Sequence, residues 1–225
     1  MQIEIVHGPG NAAARIDLGP NESCTAEGGA MIAMSADMRV ETTTHKKGSG
    51  GLLRAAKRML ARESFFLNHF TAGGGGGRLW LGTALAGDMA TYELRSESLI
   101  VQGGSYVASE PGIEVDLGWQ GFKSLISKEG LFWLHLNGSG KVIFNSFGAI
   151  YPVVVDGETI VDTGHIVAFN ETLDYRLSKA GKSWVSSFMG GEGFVCRFEG
   201  RGTVWCQSHN QPGFGRRLGA MLRPR

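Results

Sequence analysis

Six histidines and three cysteines are the side chains of this 225-residue chain best suited to chemistry near neutral pH. His69 and His135 stand out because each follows a glutamate, Glu63 and Glu129, by the same interval inside an apolar run. A histidine repeated at one strand position could serve a metal ion or a proton transfer in a metal-dependent jelly-roll enzyme. Such enzymes usually present a His-x-His pair on one strand, and this chain has none. The third equivalent position holds Phe198, so packed or hydrogen-bonded imidazoles are the expectation and no metal site is assigned. Cys196 and Cys206 flank the glycines of one apolar segment and could face each other across a hairpin. Reduced, buried thiols are expected instead. Cys24 has no histidine near it in sequence, and Ser64 lacks a Gly-x-Ser-x-Gly elbow. The run Gly73–Gly77 is followed by Leu79-Trp80-Leu81, a strand pattern and not the Lys-Ser/Thr helix start of a phosphate loop; it reads as a turn or a close backbone approach. These residues predict no catalytic centre and no cofactor.

A different chemistry, that of a charged surface, is concentrated in His45–Arg62, which carries Lys46, Lys47, Arg54, Lys57, Arg58 and Arg62 without an acid. After Gly48-Ser49-Gly50-Gly51, the spacing of Leu52, Ala56, Met59 and Leu60 predicts a short amphipathic helix over 48–62. Arg54, Lys57, Arg58 and Arg62 occupy its other faces and are the candidate binding residues. The helix either packs on the β-body or a neighbouring subunit, or meets an anionic membrane surface or nucleic acid. Residues 211–225 carry Arg216, Arg217, Arg223 and Arg225 and read as a basic, loosely attached tail with at most a helical turn or two.

The elements that would position these residues recur. Phe65–Thr71, Phe132–Leu136 and Phe194–Phe198 are apolar strands; each runs into glycines and then a second strand: Gly77-Arg78-Leu79-Trp80, Gly140-Lys141-Val142-Ile143, Gly202-Thr203-Val204-Trp205. Each segment reads as a glycine-turned hairpin. A second pattern interleaves with the first: Gly29-Ala30-Met31-Ile32-Ala33, Gly104-Ser105-Tyr106-Val107-Ala108, Gly164-His165-Ile166-Val167-Ala168. Two patterns interleaving in one order predict three units, 1–82 (with the basic insertion), 83–146 and 147–210, followed by the tail 211–225. Glu63, Glu129 and Glu192 then satisfy turn amides or partner a neighbouring unit; catalytic carboxylates would be odd in triplicate.

Composition agrees with an all-β reading. Glycine occurs 35 times where average usage gives roughly 16, an excess that fits many turns and bulges. A net charge of +1 gives the whole molecule no general attraction for nucleic acid. No apolar run reaches the roughly 18 residues of a membrane span, and the start reads as a strand and not a signal peptide, so a cytoplasmic, soluble protein is expected.

Gly50-Gly51, the basic segment, Glu63-Ser64-Phe65-Phe66-Leu67, Thr71-Ala72 and the later glycine-x-apolar strands resemble the family named for altered inheritance of mitochondria, in its bacterial branch. The resemblance covers nearly the whole chain. It implies three shortened double-stranded β-helix units in a pseudo-threefold arrangement, similar to the tryptophan RNA-binding attenuation protein, and no catalytic residue. A shared fold does not confer RNA binding. The reading is therefore a non-enzymatic, homo-oligomeric scaffold or binding protein with an unidentified protein partner. A membrane surface is possible at residues 52–62 and nucleic acid is disfavoured. The alternatives are a nucleic-acid or small-ligand binder and, behind it, a metal-dependent enzyme using His69 and His135.

Overall fold

The computed structural model describes residues 1–44, 65–116, 132–179 and 194–222. Antiparallel strands dominate it. Alternation in the sequence sets them: along Ala13–Leu18 the residues Ala14, Ile16 and Leu18 are buried while Arg15 and Asp17 point outward. The strands fall into three consecutive groups. The first holds β1 (Gln2–Val6), β2 (Ala13–Leu18), β3 (Ser23–Glu27), β4 (Met31–Met34), β5 (Arg39–Thr44), β6 (Phe66–Thr71) and β7 (Gly77–Leu81). The second holds β8 (Met89–Gln102), β9 (Tyr106–Ser109), β10 (Ile113–Asp116) and β11 (Trp133–Asn145). The third holds β12 (Ile150–Asp162), β13 (Ile166–Asn170), β14 (Asp174–Lys179) and β15 (Phe194–Gln207), and helix α1 (Gln211–Met221) follows. One sheet runs β1-β2-β7-β4; the other runs β12-β15-β13-β8-β11-β9-β3-β6-β5, with β10 on β11 and β14 on β15.

Pairing registers recur between the groups. Ala33 lies opposite Trp80, Ala108 opposite Ile143 and Ala168 opposite Trp205, each beside a register shift. The groups are joined sideways as well. Ala26 of β3 lies opposite Ala108 of β9, and Val101 of β8 lies opposite Ala168 of β13. Three apolar clusters fill the interior, around Ile16, Phe70 and Leu79, around Leu99, Leu134 and Phe144, and around Phe169, Phe198 and Val204. Phe169 stacks edge-on with Trp133, Tyr175 and Phe198, so the third cluster includes a side chain of the second group.

Two expectations need correction. The glycine-turned hairpin does not occur at the second and third copies: β11 and β15 are single strands that run straight through Gly138-Ser139-Gly140 and Gly200-Arg201-Gly202. The first half of each pairs with one strand, β10 or β14, and the second half with another, β9 or β13. The glycines mark the bend at which one strand changes neighbours. Gly138 has a φ of +119°, and a Cβ there would stand 2.1 Å from the Gly112 carbonyl oxygen. Only the first copy turns, at Gly73–Gly76, where the Gly76 amide donates to the Gly73 carbonyl. Even there β6 pairs with β3 and β5, while β7 pairs with β2 and β4. The tail is also not loose throughout: α1 is capped by Asn210, whose Oδ1 accepts from the Gly213 amide, and Phe214 packs edge-on against Phe147. The predicted basic helix over 48–62 lies outside the described residues.

Candidate functional site

His69 stands near the middle of β6, between β3 and β5. That placement puts threonines on both sides of its ring. Nδ1 shares a hydrogen bond with Thr25 Oγ1 at 2.9 Å and Nε2 one with Thr43 Oγ1 at 2.8 Å. A hydroxyl both donates and accepts, so the two threonines can hold either neutral tautomer. His135, on β11, is held by Asn137 at Nδ1 (3.2 Å) and by Glu171 at Nε2 (3.1 Å). Glu171 follows β13, and its own amide donates to the Ser98 carbonyl, so this contact ties the second group to the third.

The two imidazoles do not meet. β9 and β3 separate β11 from β6, which corresponds to about 14 Å of sheet at the usual strand spacing. A metal ion needs ligands at about 2 Å. Among the described residues, no three histidine, cysteine, aspartate or glutamate side chains cluster closely enough to hold an ion.

The cysteines are equally withdrawn. Cys24, Cys196 and Cys206 are free and buried, and burial pushes their thiols up to about 12, 12 and 11 respectively. Cys196 and Cys206 lie on one continuous strand, opposite Val161 and Tyr151. They cannot face each other across a turn that does not exist. Glu27, half-buried at the end of β3, has its carboxyl raised to about 7 by desolvation. Two shallow grooves of about 350 Å³ lie near the N-terminus, one beside Glu4, Arg15 and Asp17, the other beside Glu22, Glu110 and Ser139. Neither contains a histidine or cysteine. The candidate binding residues Arg54, Lys57, Arg58 and Arg62, and Glu63, Glu129 and Glu192, lie outside the described residues.

What the surface does offer is apolar. The large hydrophobic side chains left exposed fall on β4 (Met31, Ile32), β5 (Val40), β12 (Tyr151, Val154, Ile160) and at or just beyond α1 (Phe214, Leu218, Met221, Leu222). β4, β5 and β12 are each the last strand of a sheet path. Reading the sequence for chemistry passed over these positions, because an isolated Ile or Met carries no signal until its strand is known to be an edge. Among the described residues, no helix is long and apolar enough to cross a membrane.

The described residues form a predominantly β structure of antiparallel sheets with one short helix. The chain belongs to the Mitochondrial biogenesis AIM24 family, whose model matches residues 3–209. It is similar to an uncharacterized protein of Streptococcus pyogenes serotype M6, 30% identical over 201 residues that span 87% of this chain and 80% of that protein. It is also similar to a Streptococcus pyogenes protein of known crystal structure, with a TM-score of 0.81 and 26% identity over 98% of this chain and 99% of that one.

Proposed function

We propose that this protein is a non-enzymatic binding or scaffold protein that acts through its strand edges. One contrast carries the reading: the three cysteines are buried and the His69 and His135 rings each have a polar partner at both nitrogens, whereas exposed apolar side chains collect on sheet edges and α1. We further read the three strand groups as three copies of one shortened double-stranded β-helix unit, an interpretation supported by the matched registers at Ala33, Ala108 and Ala168. An anionic membrane surface at residues 52–62 is a second contact, motivated by Arg54, Lys57, Arg58 and Arg62.

Native mass spectrometry of untagged protein, purified without added metal, tests the main reading. The expected masses are whole multiples of the bare chain. A stoichiometric metal ion or small molecule retained on each subunit would overturn it. Charge reversal at Lys57 and Arg58 should weaken binding to anionic vesicles; unchanged binding would remove the membrane contact.

A further inference from the structure

We propose that copies of this chain join head to tail by strand addition, β12 of one copy pairing antiparallel with β4 of the next. The register would place Thr159 opposite Ser35, Ile160 opposite Met34 and Val161 opposite Ala33. This deepens the edge-binding reading above, and rests on it, by naming the partner of one edge pair as a second copy.

The template for this joint occurs twice inside the chain. At the first internal seam Ala26 and Thr25 of β3 face Ala108 and Ser109 of β9. At the second, Val101, Ile100 and Leu99 of β8 face Ala168, Phe169 and Asn170 of β13. In both, the acceptor strand is the one whose alanine also lies opposite Ile143 or Trp205. β4 has the same relation to β7, with Ala33 opposite Trp80. The donor segment in β8 is the one that has Val101 opposite Leu134 of β11; in β12 it has Val161 opposite Cys196 of β15. Among the described residues, a donor segment on β12 and an acceptor segment on β4 therefore have no partner strand on their outer edges.

Burial follows the same logic. Ile100 and Phe169, which meet at the second seam, are both fully buried. Their counterparts at the open ends are less covered: Ile160 is 53% exposed and Met34 is half-buried, while Met31 and Ile32, which precede Met34 on β4, are 44% and 61% exposed. A chain closed on itself through these strands would have buried Ile160 as it buries Ile100. Edge strands ordinarily defend themselves with charges or proline. β1 carries Glu4, and β5 carries Arg39 and Glu41. By contrast Thr159-Ile160-Val161 and Met31-Ile32-Ala33-Met34 hold no charge and no proline. The acids that flank the first segment are engaged elsewhere, Glu158 with Arg197 and Asp162 with the Gly164 amide.

Because the two edges differ, the joint is heterologous: each copy uses one edge on each neighbour. Such joints close into a ring if the rotation permits and otherwise grow as a filament.

The test is disulfide trapping between two full-length variants, Met34→Cys and Ile160→Cys. Opposed residues of adjacent strands have Cβ atoms about 4.5–5.5 Å apart, near enough for mild oxidation to link them. Mixing the two variants should give a cross-linked dimer at least about tenfold more abundantly than either variant alone, and a Met34→Cys/Ile160→Cys double variant should give a ladder of multimers. The native thiols are buried and do not compete. Sedimentation of the wild type should show multimers that Ile160→Lys, at an exposed position, disperses without changing the circular dichroism spectrum. Homodimers of the single variants, intramolecular closure of the double variant, or a monomeric wild type at tens of micromolar would each overturn the proposal. A metal or ligand found by native mass spectrometry would defeat the non-enzymatic reading and leave this trapping result standing; a monomer carrying nothing would defeat the joint alone.

Discussion

Glu27 is the residue at which pH should act on this fold. Its carboxyl is raised to about 7 by burial, so the folded protein holds a proton there that the unfolded chain, near the ordinary carboxylate value of 4.5, releases. Between those values the native state binds the extra proton, and stability falls as pH rises from about 4.5 to 7. Above that range the whole penalty is present. Melting temperatures measured at pH 5 and pH 8 should therefore differ for the wild type. Glu27→Gln should remove this part of the difference, gaining about 1–2 kcal/mol at pH 8 and almost nothing at pH 4. Equal gains at both pH values would place the effect in packing and not in ionisation. The cysteines give a second residue-scale prediction. With thiols at about 11–12 and little access, Cys24, Cys196 and Cys206 should remain unmodified by an aromatic disulfide reagent at pH 8 in native protein and react together once it unfolds. Fast labelling of one native cysteine would show that its strand opens locally.

At the scale of the element, the informative glycines are those in mid-strand. Gly138 and Gly157 both have positive φ, +119° and +105°, but only Gly138 is pressed against another backbone, the Gly112 carbonyl. Gly157→Ala should cost about 1–2 kcal/mol for conformational strain alone, and Gly138→Ala about 2–4 kcal/mol because the clash adds to it. Urea denaturation of the two variants makes the comparison, and equal costs would mean that the 112–138 approach relaxes freely. These glycines also show where the sequence could be read and where it could not. Period-two alternation made the all-β character legible, and the second glycine pattern marked the stretches that hold Ala33, Ala108 and Ala168, whose pairing registers match. A turn and a bend look alike in sequence, since both need glycine with positive φ; only the partners of the flanking residues separate them. For that reason β11 and β15 read as hairpins. The histidine environments were half legible: an occupied imidazole could be expected, but Thr25, Thr43 and Glu171 reach their rings from strands and turns remote in sequence. In α1 the glycines Gly213, Gly215 and Gly219 masked the helix, which forms with its Asn210 cap and the Phe147–Phe214 contact in place.

For the molecule as a whole, the decisive feature is that the seams between strand groups are as buried as the group interiors. Leu99, Ile100 and Val101 are completely covered where β8 meets β13, and Ile100 and Trp133 belong to the cluster that surrounds Phe198. The third group is therefore not a detachable module, because it covers Ile100 of β8 and Trp133 of β11. Each large apolar side chain it covers contributes about 1.5–3 kcal/mol, so its loss removes more than the 5–15 kcal/mol margin of an ordinary domain once several are stripped. A chain ending at Ser146 should consequently fail to accumulate as a soluble species with a cooperative melt. A chain ending at Asn210 loses α1 and its contact with Phe147, worth about 0.5–1.5 kcal/mol, and should stay folded with a slightly lower melting temperature. Expressing both truncations beside the full chain, and following heat unfolding by circular dichroism, makes the comparison. Cooperative unfolding of the 1–146 chain would show that the second group carries a self-sufficient core and that the seams serve only to align the three groups.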